Sequence, residues 1–457
     1  MPTLFWHRRD LRVADNVGLA AASDPVIPVF VLDDDVLEHA GPSRVAFLAD
    51  ALESLRADYR TRDGDLLVVR GDPATELPRL AADYGADTVR WNRDYSGLAA
   101  ERDEGVRAAL TECDVTVTDD ALLHVPGSIT TNAGDHYSVF SYFWDKWRDR
   151  PKDEPCAPPA SVVDVSSDGV PALDADPEAD VPPAGTDAAR DLLADFCAAD
   201  VYDYAEARDY PAREGTSRLS PHLHFGTIGV REVYDATEDA KADADDEDAA
   251  ESVTEYQRQL AWREFYAHAL AARPDVVTAN YREYENDIEW RDDPDELAAW
   301  KRGETGYPLV DAGMRQLRAE AYMHNRVRMV VASFLTKDLL VDWREGYRWF
   351  RRRLVDHDPA NDAGGWQWAA GTGADAQPYF RVFNPATQCE RFDPEGEYVR
   401  EYVPELRGVD ADAIHDWPTL DPAERERLAP EYSAPIVDHS ERREEAIAMF
   451  ERARGED

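Results

Sequence analysis

The hydrophobic pattern changes period once, near residue 125, and that change limits the fold more than any other feature of the chain. Before it, short β-rich runs alternate with amphipathic stretches. "TLFWH" from Thr3, "VIPVFVL" from Val26, "DLLVVRG" from Asp65, "TVRWN" from Thr88 and "VTVTDD" from Val115 read as strands. Stretches such as "SRVAFLADALESLRADYR" lie between them and read as helices. This alternation predicts a doubly wound, parallel α/β sheet with a ligand crevice at its strand ends. No GxGxxG follows the first strand. "GTGADA" at Gly371 lacks the third glycine and a preceding strand, so no dinucleotide fingerprint is assigned.

Residues 131–190 include "DEPCAPPASVVDVSSDGVPALDADPEADVPPAG", a Pro-, Ala- and Asp-rich stretch that reads as an interdomain linker. After it come long helical patterns, no convincing strand and most of the tryptophans. At 457 residues the chain is too long for one ordinary domain. The expectation is an α/β domain over 1–130 and an all-α domain over 191–457. "EDAKADADDEDAAE" reads as a solvated acidic loop or helix end.

The formal net charge is −44, and lysine occurs only at positions 146, 152, 241, 301 and 337. Acid spread through nearly every segment suits very high salt, where the Debye length falls to about 3 Å and self-repulsion is screened. An aromatic content of 10% excludes a disordered acidic chain. Against this background, residues 308–353 hold ten basic residues and five acidic. That local excess fits either a polyanionic partner or arginines paired within a helical core. The four cysteines show no CxxC spacing, which argues against a zinc knuckle or disulfide framework. With no signal peptide and no apolar run of membrane-spanning length, a cytoplasmic location and no membrane partner are expected.

Three constellations carry chemistry. In "EYQRQLAWREFYAHAL", Gln259, Trp262, Arg263 and Tyr266 share one helical face, a poor core but a good surface for a flat hydrogen-bonding ligand. "YMHNRVRMVVASFLTKDLL" offers Asn325, Arg326, Arg328 and Met329. In "REGTSRLSPHLHFG", Thr216, Ser217 and Ser220 open a helix, where hydroxyls and free N–H groups suit a phosphate. His222, His224, Asp356, His357 and Asp358 make an unconvincing metal set, because no strand places both imidazoles of the HxH on one side; no metal is assigned. GxSxG, Walker and HExxH motifs are absent. In "NDAGGWQWAAGTGADAQPYFRVFNP", Trp366 and Trp368 point about 200° apart on a helix, one inward and one toward an opening. Abundant tryptophan with little acid–base apparatus points to electron transfer through a bound aromatic cofactor.

The segments "LFWHRRDLRVADNVGL", "RDYPAREGTSRLSP", "QLAWREFY", "GYPLVDAGMRQL", "MHNRVRM" and "NDAGGWQWAAGTGADAQPYFRVFNP" resemble, in order, those of the DNA photolyase/cryptochrome family. The likeness runs nearly end to end and is greatest to the cyclobutane pyrimidine dimer photolyases of halophilic archaea. It implies an FAD-binding helical domain, with Tyr204, Thr216, Ser217, Arg218, Leu219, Ser220, Tyr256, Arg263, Asn325, Arg328, Asp356, His357, Asp358 and Asp362 at the cofactor. It implies damaged DNA as partner and a monomeric enzyme. A flipped dimer would meet Arg208, Gln259, Trp262, Arg263, Asn325, Arg326, Met329 and Trp368, within a basic rim that includes Arg351.

Trp366, Trp343 and Trp290 match the family's electron relay, and Asp362 the position facing flavin N5. Arg9, Asp10, Arg44 and Glu101 fall near the antenna site, for which 8-hydroxy-5-deazaflavin is expected rather than methenyltetrahydrofolate. Gln259 stands where dimer photolyases use glutamate, Tyr256 where they use tryptophan, and Asp362 where they use asparagine. An acid at the last position is a plant cryptochrome trait, so a blue-light photoreceptor is the rival reading. The long signalling tail of those receptors is missing, and a (6-4) enzyme's histidine pair would fall on Asn325 and Met329.

Overall fold

A computed structural model describes every residue except Asp24, Ser166, Asp174 and Asp457. Five strands, β1 (Thr3–His7), β2 (Val26–Leu32), β3 (Leu67–Arg70), β4 (Thr88–Asn92) and β5 (Asp114–Thr118), form one parallel sheet in the order β3-β2-β1-β4-β5. Every residue of β1 and β2 is buried, which is why both read as unbroken apolar runs. Pro28 sits inside β2, where a missing N–H would normally break a ladder. The β3 ladder starts only at Val29, and Val26 bridges to Val162 on that side, so Pro28 lies between the two pairings.

The helices Pro42–Arg60, Pro73–Tyr84 and Gly97–Ala109 join the strands. Strand order reverses between β1 and β4, so the crevice of a doubly wound sheet opens at their carboxyl ends. Here the second domain fills it. Leu11 donates its backbone N–H to the Phe225 carbonyl at 3.2 Å. Gly226, at φ +67°, passes so close to the Arg9 carbonyl that a Cβ would lie 2.1 Å from it. A glycine is required there by both conformation and space.

The linker expected over 131–190 is not a tether throughout. Phe140–Asp149 is a helix whose Phe140, Phe143, Trp144 and Trp147 are buried in the helical domain. Its aromatic spacing was obscured by the Pro- and Asp-rich sequence that follows. The described residues of 150–184 form no helix or strand but lie along the first domain. The Cys156 carbonyl accepts from Asp15, Ser167 accepts from Arg56, and Val162 bridges β2. The acidic insert ends one helix, Val230–Ala242, and begins the next, Glu247–Ala272.

From Thr186 onward the described residues form helices and turns, gathered around two large apolar clusters and two small ones. A buried knot of four charges ties the domains together. Arg12 meets Asp120 at 2.6 Å, and Arg231 of the helical domain meets both Asp15 and Asp120 at 2.6 Å. Among the described residues no helix is long and apolar enough to cross a membrane.

Candidate active site

One cavity of about 480 Å³ opens into the helical domain, lined from the helices Tyr204–Ala207, Ser220–Phe225, Glu247–Ala272, Asn325–Ser333 and Pro359–Ala370 and the loops before them. Gln259, Trp262, Arg263 and Tyr266 all face it, as their shared helical stripe predicts. So do Tyr204, Arg208, residues 216–220, Tyr256, Asn325, Arg326, Arg328, Met329, Asp356, Asp358, Asp362, Trp366 and Trp368.

The inner half is built on carboxylates held by arginines. Asp356 accepts from Arg328 at 2.8 and 3.1 Å and from the Ser220 hydroxyl at 2.6 Å. Burial opposes its charge, but these donors outweigh burial and hold the carboxyl below its ordinary range. Asp358 caps the Pro359–Ala370 helix through the Ala360 and Asn361 N–H groups. Arg9 reaches it from the end of β1 at 2.6 Å, and despite burial its carboxyl lies well below the usual value. Arg263 donates to the carbonyls of Ala121 and Leu223, and burial lowers its pKa.

Asp362 is buried and hydrogen-bonded to the Nδ1 of His357. His357 itself does not line the cavity. It lies behind Asp362, with the Tyr347 ring 5.3 Å away, and reaches the site only through that carboxylate. Burial lowers the His357 pKa, and Asp362 resists the change. The 216–220 loop turns at Arg218, φ +48°, with its guanidinium on Glu320 at 3.1 Å. The Ser217 hydroxyl accepts from Tyr256 at 3.0 Å.

The outer half is aromatic. Trp262 stacks on Phe140 at 3.7 Å and tilts against Tyr266 at 5.5 Å, while half-buried Trp368 packs near Phe383. Arginines here are already paired: Arg208 with Glu255, and Arg326 with Asp209. Gln259 accepts from Arg208 at 3.3 Å and donates to Glu255 at 2.9 Å. Arg351, expected on this rim, lines a different cleft, because on the Trp343–Arg353 helix it is the neighbouring Phe350 that faces the cavity.

The WQW pair divides as expected, Trp366 at 2% exposure and Trp368 at the opening. The Trp366 ring packs on Gly346, where a Cβ would sit 2.0 Å from it, and its indole N–H is buried without a protein partner. Trp343 is fully buried and donates to Asn280 at 2.9 Å; Trp290 is partly exposed beside Phe450. Burial thus falls from Trp366 and Trp343 to Trp290, all packed in or against one apolar cluster. The ring contact of Trp366 with another tryptophan is to Trp300, at 6.1 Å. Trp300, Phe140 and Phe350 escaped the sequence reading, since each looks there like an ordinary core aromatic.

Three of the four antenna positions already hold protein partners. Asp10 is enclosed within the first domain by Asn16, Asn92 and the Arg8 N–H, and Arg9 is spent on Asp358 and His224. Arg44 donates to the carbonyls of His39 and Arg351, and burial lowers its pKa to about 10. Glu101 is exposed. Short-range sequence gave no sign that two of these arginines span the domain boundary.

The aromatic walls, the hydroxyls of 216–220, the Arg328 and Arg263 guanidiniums and the orphaned Trp366 N–H fit a flavin dinucleotide. Comparison with known proteins agrees. Residues 256–452 match a family model described as the FAD binding domain of DNA photolyase, and residues 3–160 one described as DNA photolyase. The chain is 60% identical to the deoxyribodipyrimidine photo-lyase of Halobacterium salinarum, covering 99% of this chain and all of that one. It is 40% identical to that of a Synechococcus strain over 98% of this chain and 96% of that one. A class III photolyase structure from Agrobacterium tumefaciens superposes with a TM-score of 0.91 at 38% identity, covering 99% of this chain and 98% of that one. The chain therefore belongs to the DNA photolyase family.

Proposed function

We propose that this protein is a deoxyribodipyrimidine photolyase, which splits cyclobutane pyrimidine dimers in DNA using light. One observation carries the reading: a single cavity joins a buried arginine–carboxylate interior to an open mouth walled by Trp262 and Trp368. The chemistry supplied by a bound, reduced flavin is light-driven transfer of one electron to the dimer and its return once the ring has split. In this reading Tyr204, Thr216, Ser217, Arg218, Leu219, Ser220, Tyr256, Arg263, Asn325 and Arg328 hold the cofactor. Asp356 fixes Arg328, Asp358 is held by Arg9 at the start of its helix, and Asp362, steadied by His357, holds a proton or hydrogen bond at the flavin ring. Trp262 and Trp368 receive the flipped bases by stacking. Gln259, Arg208, Arg326, Asn325 and Met329 line their approach. Trp366, Trp343 and Trp290 resupply electrons from the surface.

Asp362 favours a second reading, blue-light sensing without repair, and a Synechocystis cryptochrome structure shares the fold at a TM-score of 0.90 and 26% identity, covering 98% of this chain and 99% of that one. Illuminating the purified, reduced protein with dimer-containing oligonucleotide separates the two. Dimers lost in light and retained in the dark support repair; dimers retained in both leave the sensor. For the second chromophore we keep 8-hydroxy-5-deazaflavin, with methenyltetrahydrofolate as the alternative. A Sulfolobus tokodaii photolyase structure, TM-score 0.85 at 33% identity, covering 99% of this chain and all of that one, is described with two FAD molecules. Arg9, Asp10, Arg44 and Glu101 remain our candidates for that site, the first three already held in place by protein partners. The absorption spectrum of the native protein decides the pigment, and gel filtration tests the proposed monomer.

A further inference from the structure

A second cleft, of about 560 Å³, lies where the two domains meet behind the active-site wall, and no residue lines both. It is bounded by residues 38–43, by the last turn of the Trp343–Arg353 helix, by Arg318, and by residues 176–179 of the irregular segment. Five guanidiniums line it. Arg348 pairs with Glu345, and Arg353 pairs with Glu178 at 3.1 Å while lying 4.8 Å over Trp349. Among the described residues, the side chains of Arg318, Arg351 and Arg352 have neither an ion pair nor a hydrogen bond. The Trp349 indole N–H is buried without a partner, and so is the Nε of Arg44, whose other nitrogen holds the His39 and Arg351 carbonyls at the cleft's edge.

This is an unusual use of cations in a chain with 94 acidic residues and 50 basic ones. Acid is abundant, and the arginines of the active-site mouth have each found a carboxylate. Like charges left together in a cleft repel, and an anion that enters relieves the repulsion. Glu38 and Asp176 also line the cleft, so its charge is positive but modest. A compact multivalent anion suits that balance better than a long strand. Arginine forks match phosphate oxygens in pairs, and the volume is that of a small-molecule site.

We propose that this interdomain cleft binds a small phosphate-bearing molecule of the size of a nucleoside di- or triphosphate, gripped by Arg318, Arg351 and Arg352. The site stands apart from the flavin pocket, and its occupancy does not depend on the repair reading. Calorimetric titration of the flavin-loaded protein, at a salt concentration that keeps it folded, tests it with sodium tripolyphosphate and ATP as probes. One equivalent of each probe should bind, with a change in Trp349 fluorescence that the Trp349→Phe variant lacks. The double variant Arg351→Gln/Arg352→Gln should bind at least about tenfold more weakly, with flavin content unchanged. Should the double variant fail to fold, Arg318→Gln alone should still weaken both probes. Saturable binding tighter than about 1 mM that falls in these variants upholds the proposal. No saturable binding, equal binding by the variants, or displacement of the probes by undamaged duplex DNA at equal phosphate concentration overturns it.

Discussion

The two halves of the active-site cavity use the same residue types to opposite ends. In the interior, Arg328 and Arg9 lock buried carboxylates that would otherwise be costly, so the charges fix shape. At the mouth, Arg208 and Arg326 are neutralised by Glu255 and Asp209, and the exposed chemistry is the aromatic face of Trp262 and Trp368. On the proposed reading, a mouth whose arginines are already paired holds DNA by stacking in a protein of charge −44. In high salt, phosphate contacts lose much of their strength, while stacking is less affected by screening.

The largest expected effect comes from breaking the interior. Arg328→Ala strands Asp356 in a buried site and should cost about 3–5 kcal/mol of stability, together with the flavin, as read by chemical denaturation and bound absorbance. The acid limb gives a second readout. The carboxyls of Asp356 and Asp358 are both depressed, so their contribution is complete above the unfolded value of about 3.9 and is lost as pH falls through the lower folded values. Arg328→Ala should therefore move acid unfolding to higher pH. An unchanged acid midpoint would sever Asp356 from the fold's stability.

At the mouth, Trp368→Ala should weaken binding of dimer-containing DNA by roughly 1–3 kcal/mol, with flavin retained and the loss persisting at molar salt. Arg326→Ala should cost less than about 1 kcal/mol under the same conditions, since the pair with Asp209 is partly exposed and screened. A dominant arginine effect at molar salt would reverse the comparison. The smallest change in stability belongs to Trp366→Phe, which keeps most of the buried volume. It should abolish photoreduction of oxidised flavin yet spare repair by chemically reduced enzyme. Because the Trp366 ring meets Trp300, Trp300→Phe is the sharper control: normal photoreduction there, with loss in Trp343→Phe, keeps the relay on the expected route.

Legibility tracked how local each cause was. β1 and β2 could be read residue by residue, because strands buried on both faces leave apolar runs bounded by turn residues, and β4 by the alternation of buried Val89 and Trp91 with half-buried Thr88 and Arg90. The Gln259–Tyr266 stripe was legible from helical spacing alone, and Trp366 and Trp368 divide as two residues 200° apart must. What sequence could not supply was the destination of long charged side chains. Arg9 and Arg44 end on groups hundreds of positions away, and Glu255 and Asp209 neutralise a rim that a count of local charge would call basic. The Phe140–Asp149 helix was hidden for a different reason, since its partners lie across the helical domain.

The knot of Arg12, Asp15, Asp120 and Arg231 has a bearing on how such a chain can change over generations. Three of its members belong to one domain and the fourth to the other, so neither half is a portable part. A recombinant that joins this first domain to a helical half lacking Arg231 inherits two enclosed acids and one base to balance them. Inheritance of the two halves is coupled at that point, and exchange between relatives should succeed only where the incoming half carries a cation at the same place.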